Sequence, residues 1–167
     1  LTINDLSILG LTVTQSMVDA INEAIFTDGV AVNVANNFNG LLSIIDSLND
    51  IQNSQIDAND LTTIGVTLPA GVLIPKDITI AAINDVLRRT DAKDTSDVQK
   101  VIDTLAKLDN GFDSDNSQLT LEDLAILGIK HADGSPITDQ TTLNAINSAI
   151  TNSENRHILM LDVEKIV

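Results

Sequence analysis

Apolar residues recur at steps of three and four along most of this chain, in stretches separated by short polar breaks. The clearest stretches contain Met17, Val18 and Ile21; Leu41, Ile45 and Leu48; Ile80, Ile83 and Leu87; Val98, Val101, Ile102 and Leu105; and Leu143, Ile146 and Ile150. Such steps place the side chains along one face of an α-helix. Alternation of apolar and polar residues, which is typical of strands, is not sustained anywhere. The pattern therefore predicts an all-α protein.

A stretch of ten residues occurs three times, at 1–10, 56–65 and 119–128. Each copy places a threonine or aspartate at a helix N-cap and an aspartate three residues later, which is the spacing of a capping box. These pairs are Thr2 with Asp5, Asp57 with Asp60, and Thr120 with Asp123. Each copy ends on a glycine followed by an apolar residue, as in a Schellman cap. We interpret the decamer as a short helix with both ends encoded, and not as a catalytic motif.

Two further motifs follow the decamer in constant order. The first lies at 20–25, 82–87 and 145–150, and the second at 44–48 and 101–105. Recurrence in one order predicts tandem repeats at 1–55, 56–118 and 119–167, the last of them truncated. We expect each repeat to be a three-helix bundle and the three repeats to form an elongated array, because units this small gain stability from their neighbours. The second helix of each repeat is predicted to start near Thr14, Pro75 and Thr138, with Thr14 and Thr138 as N-caps.

Composition restricts the classes of function. Nine basic and 24 acidic side chains give a net charge of −15, which repels phosphate backbones, so we expect no nucleic-acid partner. Solubility is the simpler interpretation of this acidity, ahead of a charge-specific partner. Cysteine is absent, which excludes disulfides and thiolate metal sites. No apolar run approaches the roughly 20 residues of a membrane span, so we expect no membrane insertion.

One polar stretch, at 109–119, resembles the start of a calcium-binding loop. Asp113, Asp115 and Ser117 alternate like the first three ligands of an EF-hand or dockerin-type loop, and a helix follows. Gln118 then replaces the glycine of the sharp turn, and Glu122 or Asp123 could complete the site only if the loop closed early. The predicted calcium ligands are Asp113, Asp115, Ser117 and Glu122. A solvated linker that leads into a helix explains the same residues without a metal.

No residue set in the chain predicts catalysis. The only histidines, His131 and His157, lack a partner at metal-ligand spacing, and nucleophile motifs such as G-x-S-x-G are absent. Asparagine recurs inside the second helices as Asn22, Asn84 and Asn147. We interpret these asparagines as structural, each hydrogen-bonded to the loop before its helix. The sequence therefore predicts a protein that is not an enzyme and has no cofactor, with calcium as the one candidate.

Residues 119–129, 138–150 and 101–105 carry a family resemblance. They match the L-T-x-x-D-L-x-x-L-G-[IV] opening, the T-x-x-x-L-x-x-I-N-x-A-I helix and the I-[IV]-D segment of tandem helical repeats in very large bacterial surface or secreted adhesins. The resemblance covers nearly the whole chain and departs from the pattern at 66–75 and after Asn152. The order of the helices also looks like that of the three-helix albumin-binding modules of cell-wall proteins, without matching ligand contacts.

The resemblance implies an extracellular or bacterial cell-surface location and a structural or spacer role, with a protein-binding surface as a further role. The chain begins inside a repeat, so we expect it to be part of a longer protein. Expected partners are the neighbouring repeats of the same chain. The alternatives are a module that binds a host protein or a glycan, and a linker stiffened by calcium.

Overall fold

The computed structural model describes residues 1–26, 38–66, 76–92, 94–109 and 118–151, of which 24–26, 38, 76–79 and 108–109 are described for their backbone alone. The regular elements are helices: α1 (Ile3–Ile8), α2 (Gln15–Phe26), α3 (Phe38–Asn53), α4 (Ala58–Thr63), α5 (Lys76–Arg89), α6 (Thr95–Asp109), α7 (Leu121–Ile126) and α8 (Gln140–Thr151). A single bridge joins Lys130 and Pro136. The all-α prediction is confirmed for these residues. None of the helices described is both long and apolar enough to cross a bilayer.

The three short helices α1, α4 and α7 begin at the predicted capping boxes. In α1 the Thr2 hydroxyl accepts from the Asp5 N–H at 3.2 Å, and the Asp5 carboxylate accepts from the Thr2 N–H at 2.8 Å. The same reciprocal pair occurs at the starts of α4 and α7. Each box satisfies two N–H groups that would otherwise lack a partner at the helix start. The predicted capping boxes are confirmed in all three copies.

The short helices also end as the sequence predicts. Gly10, Gly65 and Gly128 have φ values of +80°, +75° and +67°, in the left-handed region that glycine adopts without strain. After Gly10, the Leu11 N–H donates to the Leu6 carbonyl at 3.0 Å, and the bond recurs after the other two glycines at 2.9 Å. The glycine N–H groups complete the Schellman motif by donating one turn back. Six residues thus form a helix with both ends satisfied.

The long helices bury the predicted apolar faces. The core residues on these helices include Met17, Val18, Ile21, Leu41, Ile44, Ile45, Leu48, Ile83, Val86, Leu87, Val98, Val101, Ile102, Leu105, Leu143, Ile146 and Ile150. Thr14 caps α2, where its hydroxyl accepts from the Met17 N–H. The prediction for α8 is wrong by one residue: Asp139 is the N-cap instead of Thr138, since the Asp139 carboxylate accepts from the Thr142 N–H at 2.8 Å. A carboxylate is the stronger acceptor at the positive end of a helix.

The chain divides into two compact units. The first comprises 1–67 and 91–99, and the second comprises 68–90 and 100–167. In the first unit α2 packs against α3, and α3 packs against α4. In the second unit Leu124 of α7 and Leu127, the residue that caps the end of α7, are completely buried. The repeat boundaries at 1–55, 56–118 and 119–167 stay a prediction.

Candidate functional site

The calcium ligands predicted from the sequence fall mostly outside the described residues. Asp113, Asp115 and Ser117 lie there, and only Glu122 is described, as an exposed residue in the first turn of α7. Within the described ranges no group of three or more histidine, aspartate or glutamate side chains could hold a metal ion. The calcium site stays a prediction, which a calcium titration of the melting temperature tests.

Asp123, beside Glu122, is held by the helix that precedes it in sequence. Lys107 of α6 donates to both Asp123 carboxylate oxygens, at 2.7 and 2.9 Å, and the Thr104 hydroxyl lies 3.5 Å from one of them. Asp123 is buried, whereas Lys107 is partly exposed. Burial acts to raise the pKa of Asp123, but hydrogen bonds from Lys107 and Thr120 outweigh it and hold that pKa below its ordinary value. A carboxylate bonded in this way to an ammonium is poorly placed to bind calcium.

The same contact occurs one decamer earlier in the chain. The Ser47 hydroxyl of α3 donates to the Asp60 carboxylate of α4 at 2.9 Å. Ser47 and Thr104 occupy the fourth position of the motif at 44–48 and 101–105, and Asp60 and Asp123 occupy the same position of the decamer. We name the α3–α4 contact the first joint and the α6–α7 contact the second joint. In both joints a hydroxyl of a long helix meets the capping-box aspartate of the next short helix.

The two joints differ at one position. Asp50 lies three residues after Ser47, and Lys107 lies three residues after Thr104, so the first joint has a carboxylate where the second has an ammonium. Burial raises the pKa of Asp50, and the negative charges of Asp60, Asp46 and Asp57 raise it further. The first joint therefore carries repulsion at neutral pH where the second joint carries an ion pair.

The recurring asparagines hold the short helices from the other side. Asn147 of α8 accepts from the Leu119 N–H at 3.1 Å and donates to the Leu119 carbonyl at 2.9 Å, and all these groups are buried. Asn22 of α2 makes the same pair of bonds to Leu1, at 2.7 and 2.9 Å, in a more exposed setting. The predicted structural role is confirmed for these two residues, but the predicted partner is wrong: Leu1 and Leu119 precede the short helices α1 and α7, not the helices that carry the asparagines. The bond partner is the residue that precedes the N-cap.

The partners of the capping-box aspartates were not predicted from the sequence. The motif at 44–48 and 101–105 was recognised, but no role was assigned to its hydroxyl residue or to Lys107. One signal was present: Ser47 and Thr104 are polar residues within apolar stretches, and both are buried. Buried hydroxyls need a hydrogen-bond partner, so their recurrence points to a fixed contact.

The histidines do not form a catalytic arrangement in the part of the chain that is described. His131 lies in a turn, where its Nε2 is 3.9 Å from the Asp139 carboxylate, and His157 falls outside the described residues. The second compact unit has a shallow polar pocket of about 470 Å³. It is lined by Gln118, Asn144, Asn147, Ser148 and Thr151. Its amide and hydroxyl groups can donate and accept hydrogen bonds, and none of the described residues that line it is ionisable.

Comparison with protein-family models, curated proteins and solved structures finds no match to this chain. The resemblance to adhesin repeats therefore stays a prediction. The distinctive feature of the described residues is that α7 is bonded on both sides, to α6 through Asp123 and to α8 through Leu119. The other two copies of the decamer each show one half of the same pattern.

Proposed function

We propose that this chain is a non-catalytic structural spacer, built of three tandem three-helix repeats in a bacterial cell-surface or secreted adhesin. The single observation that carries the proposal is the recurrence of one contact at both joints. Ser47 meets Asp60 and Thr104 meets Asp123, each pair at the same place in its repeat. A spacer needs a joint that can be used again along the chain, and polar contacts of fixed geometry supply direction as well as stability.

The short helix suits this role because it connects two successive long helices. Asp123 bonds to α6, which precedes it, and Leu119 bonds to α8, which follows it. Local caps satisfy both ends of the short helix, so its backbone needs no other partners. Each decamer would in this way join the repeat before it to the repeat that it begins.

Small-angle X-ray scattering of the full chain tests the proposal. A compact domain of this length has a radius of gyration of about 15 Å. We expect a clearly larger radius and a distance distribution with a long tail, because three repeats joined end to end are longer than they are wide. A symmetrical distribution with a radius near the compact value would overturn the spacer function. Data at several protein concentrations exclude association as the cause of a large radius.

A second candidate function is glycan binding, and the polar pocket in the second compact unit favours it. Amide and hydroxyl groups of Gln118, Asn144 and Ser148 are suited to the hydroxyls of a sugar. No aromatic side chain is available among these lining residues for stacking. A glycan array screened with the full chain and with a Gln118→Ala, Ser148→Ala variant tests this function. Binding that the variant loses would support it, and silence of the intact chain would exclude it for the sugars on the array.

A further inference from the structure

The first short helix exposes a face that its two copies bury. Leu1 and Leu9 are each 48% exposed, whereas their equivalents Leu119 and Leu127 are 2% and 0% exposed. The equivalents in the second copy, Ile56 and Ile64, are 2% and 0% exposed. Ile8 is 84% exposed and adds to the same apolar surface. The sequences are closely similar, so the difference lies in what covers each copy.

Polar contacts show the same difference. Asp60 and Asp123 each bond to a preceding long helix, but Asp5 bonds only within its own capping box among the described residues. At Gly128 a side chain would meet Thr90 and Arg89 at the end of α5, whereas at Gly10 it would meet no described residue within 4 Å. Two helices, α5 and α6, therefore approach α7 where α1 has open surface.

We propose that the exposed face of α1, formed by Leu1, Asp5, Ile8, Leu9 and Gly10, is a docking surface for one further repeat of the same polypeptide. The occupant is defined by its chemistry. It is a helix of the α3 and α6 type, with two β-branched residues, an aspartate, a serine or threonine, and a leucine in succession. Its hydroxyl bonds to Asp5, and a lysine three residues after that hydroxyl would pair with the same carboxylate, as Lys107 does with Asp123. This inference rests on the proposed function and deepens it, because it specifies the surface through which the array continues.

A fusion protein tests the docking surface. Residues 76–118 are placed directly before Leu1 of the full chain, in the order in which they precede Leu119. Amide hydrogen exchange is then measured at Leu9, Gly10 and Leu11. We expect exchange there to slow by roughly tenfold or more relative to the unfused chain, because covering this apolar face opposes local opening. Unchanged exchange at these amides would overturn the proposal.

Two controls make the outcome specific. Leu9→Asp in the fusion, and Lys107→Glu in the added segment alone, should each abolish the gain in protection. The Leu9→Asp chain without the fusion should keep its helical circular dichroism, which excludes misfolding. Protection that survives both substitutions would overturn the proposal. Dimerisation of the unfused chain that Leu9→Asp abolishes would assign the face to a second copy and would also overturn it.

The docking result and the spacer function can fail separately. Scattering of the unfused chain reports its elongation, and exchange in the fusion reports the cover on α1. If the chain is elongated but α1 gains no protection in the fusion, the spacer function stands and the docking surface is wrong. If the chain is compact but α1 is protected in the fusion, the docking surface stands and the spacer function is wrong.

Discussion

Lys107 of α6 holds the buried carboxylate of Asp123 at the start of α7 through two hydrogen bonds of 2.7 and 2.9 Å. Replacing Lys107 with methionine would keep the length of the side chain and leave that carboxylate without its cation. We expect the free energy of unfolding to fall by about 1–3 kcal/mol, below the value for a fully buried pair because Lys107 is partly exposed. Urea unfolding measures the change, and Lys130→Met, at an exposed lysine, is the control for lost charge.

The effect of this substitution should depend on pH. The pKa of Asp123 is lowered below 3.8, so its contribution to stability is present above that pH and is lost as the pH falls through the lower folded value. Wild type and Lys107→Met should therefore differ at neutral pH and converge in strong acid. An equal difference between the two proteins across the whole range would show that Lys107 stabilises the fold by packing alone.

Asp50 at the first joint should give a pH dependence of opposite sign. Its pKa is raised, so it favours the folded state below its ordinary pKa of 3.8 and loses that contribution as the pH rises through the raised value. Asp50→Asn removes the charge. As the pH rises through the raised pKa of Asp50, we expect the free energy of unfolding of the variant to increase relative to that of wild type. Unfolding at several pH values measures the gain. Asp50→Glu, which keeps the negative charge at this position, is the control and should show no such gain.

Two equivalent glycines should respond differently to the same substitution. Alanine at Gly10 adds only the strain of a left-handed φ, about 1–2 kcal/mol, because its Cβ would meet no atom of the described residues within 4 Å. Alanine at Gly128 adds the same strain, and its Cβ would lie 2.8 Å from Thr90 Cγ2. We expect Gly128→Ala to cost about 1–3 kcal/mol more than Gly10→Ala. Equal losses in thermal unfolding would contradict the close approach of α5 to α7.

The equivalent asparagines provide a similar comparison. Asn147→Ala leaves the buried N–H and carbonyl of Leu119 without partners, and we expect a loss of about 2–4 kcal/mol. Asn22→Ala frees groups of Leu1 that water can reach, so we expect a loss below about 1 kcal/mol. Asn147→Asp tests the geometry, because a carboxylate accepts from the Leu119 N–H but cannot donate to its carbonyl. Full stability of Asn147→Asp at neutral pH would contradict this account of Asn147.

Local chemistry explains why parts of this fold could be predicted from the sequence. The caps at Thr2 and Gly10 depend on residues within one decamer, so their spacing was sufficient. Burial of Ile21 or Leu48 followed from helical periodicity. The bond between Lys107 and Asp123 spans 16 residues, and no local pattern says which face of α6 meets α7. Thr138 and Asp139 are both good N-cap residues, so the sequence alone does not decide which of them caps α8. In the structure the cap is Asp139.

The short helix α7 is shared by α6, which precedes it, and α8, which follows it. Leu124 of α7 is fully buried, so Leu124→Ala should lower the free energy of unfolding by about 2–5 kcal/mol. It should also destabilise the helices that pack against α7. Native-state hydrogen exchange of this variant reports the cooperative unit, with α2 and α3 as internal reference. We predict faster exchange in both α6, at 101–107, and α8, at 143–150. Faster exchange in α8 with wild-type exchange in α6 would contradict the claim, because α7 would then belong to the following bundle alone.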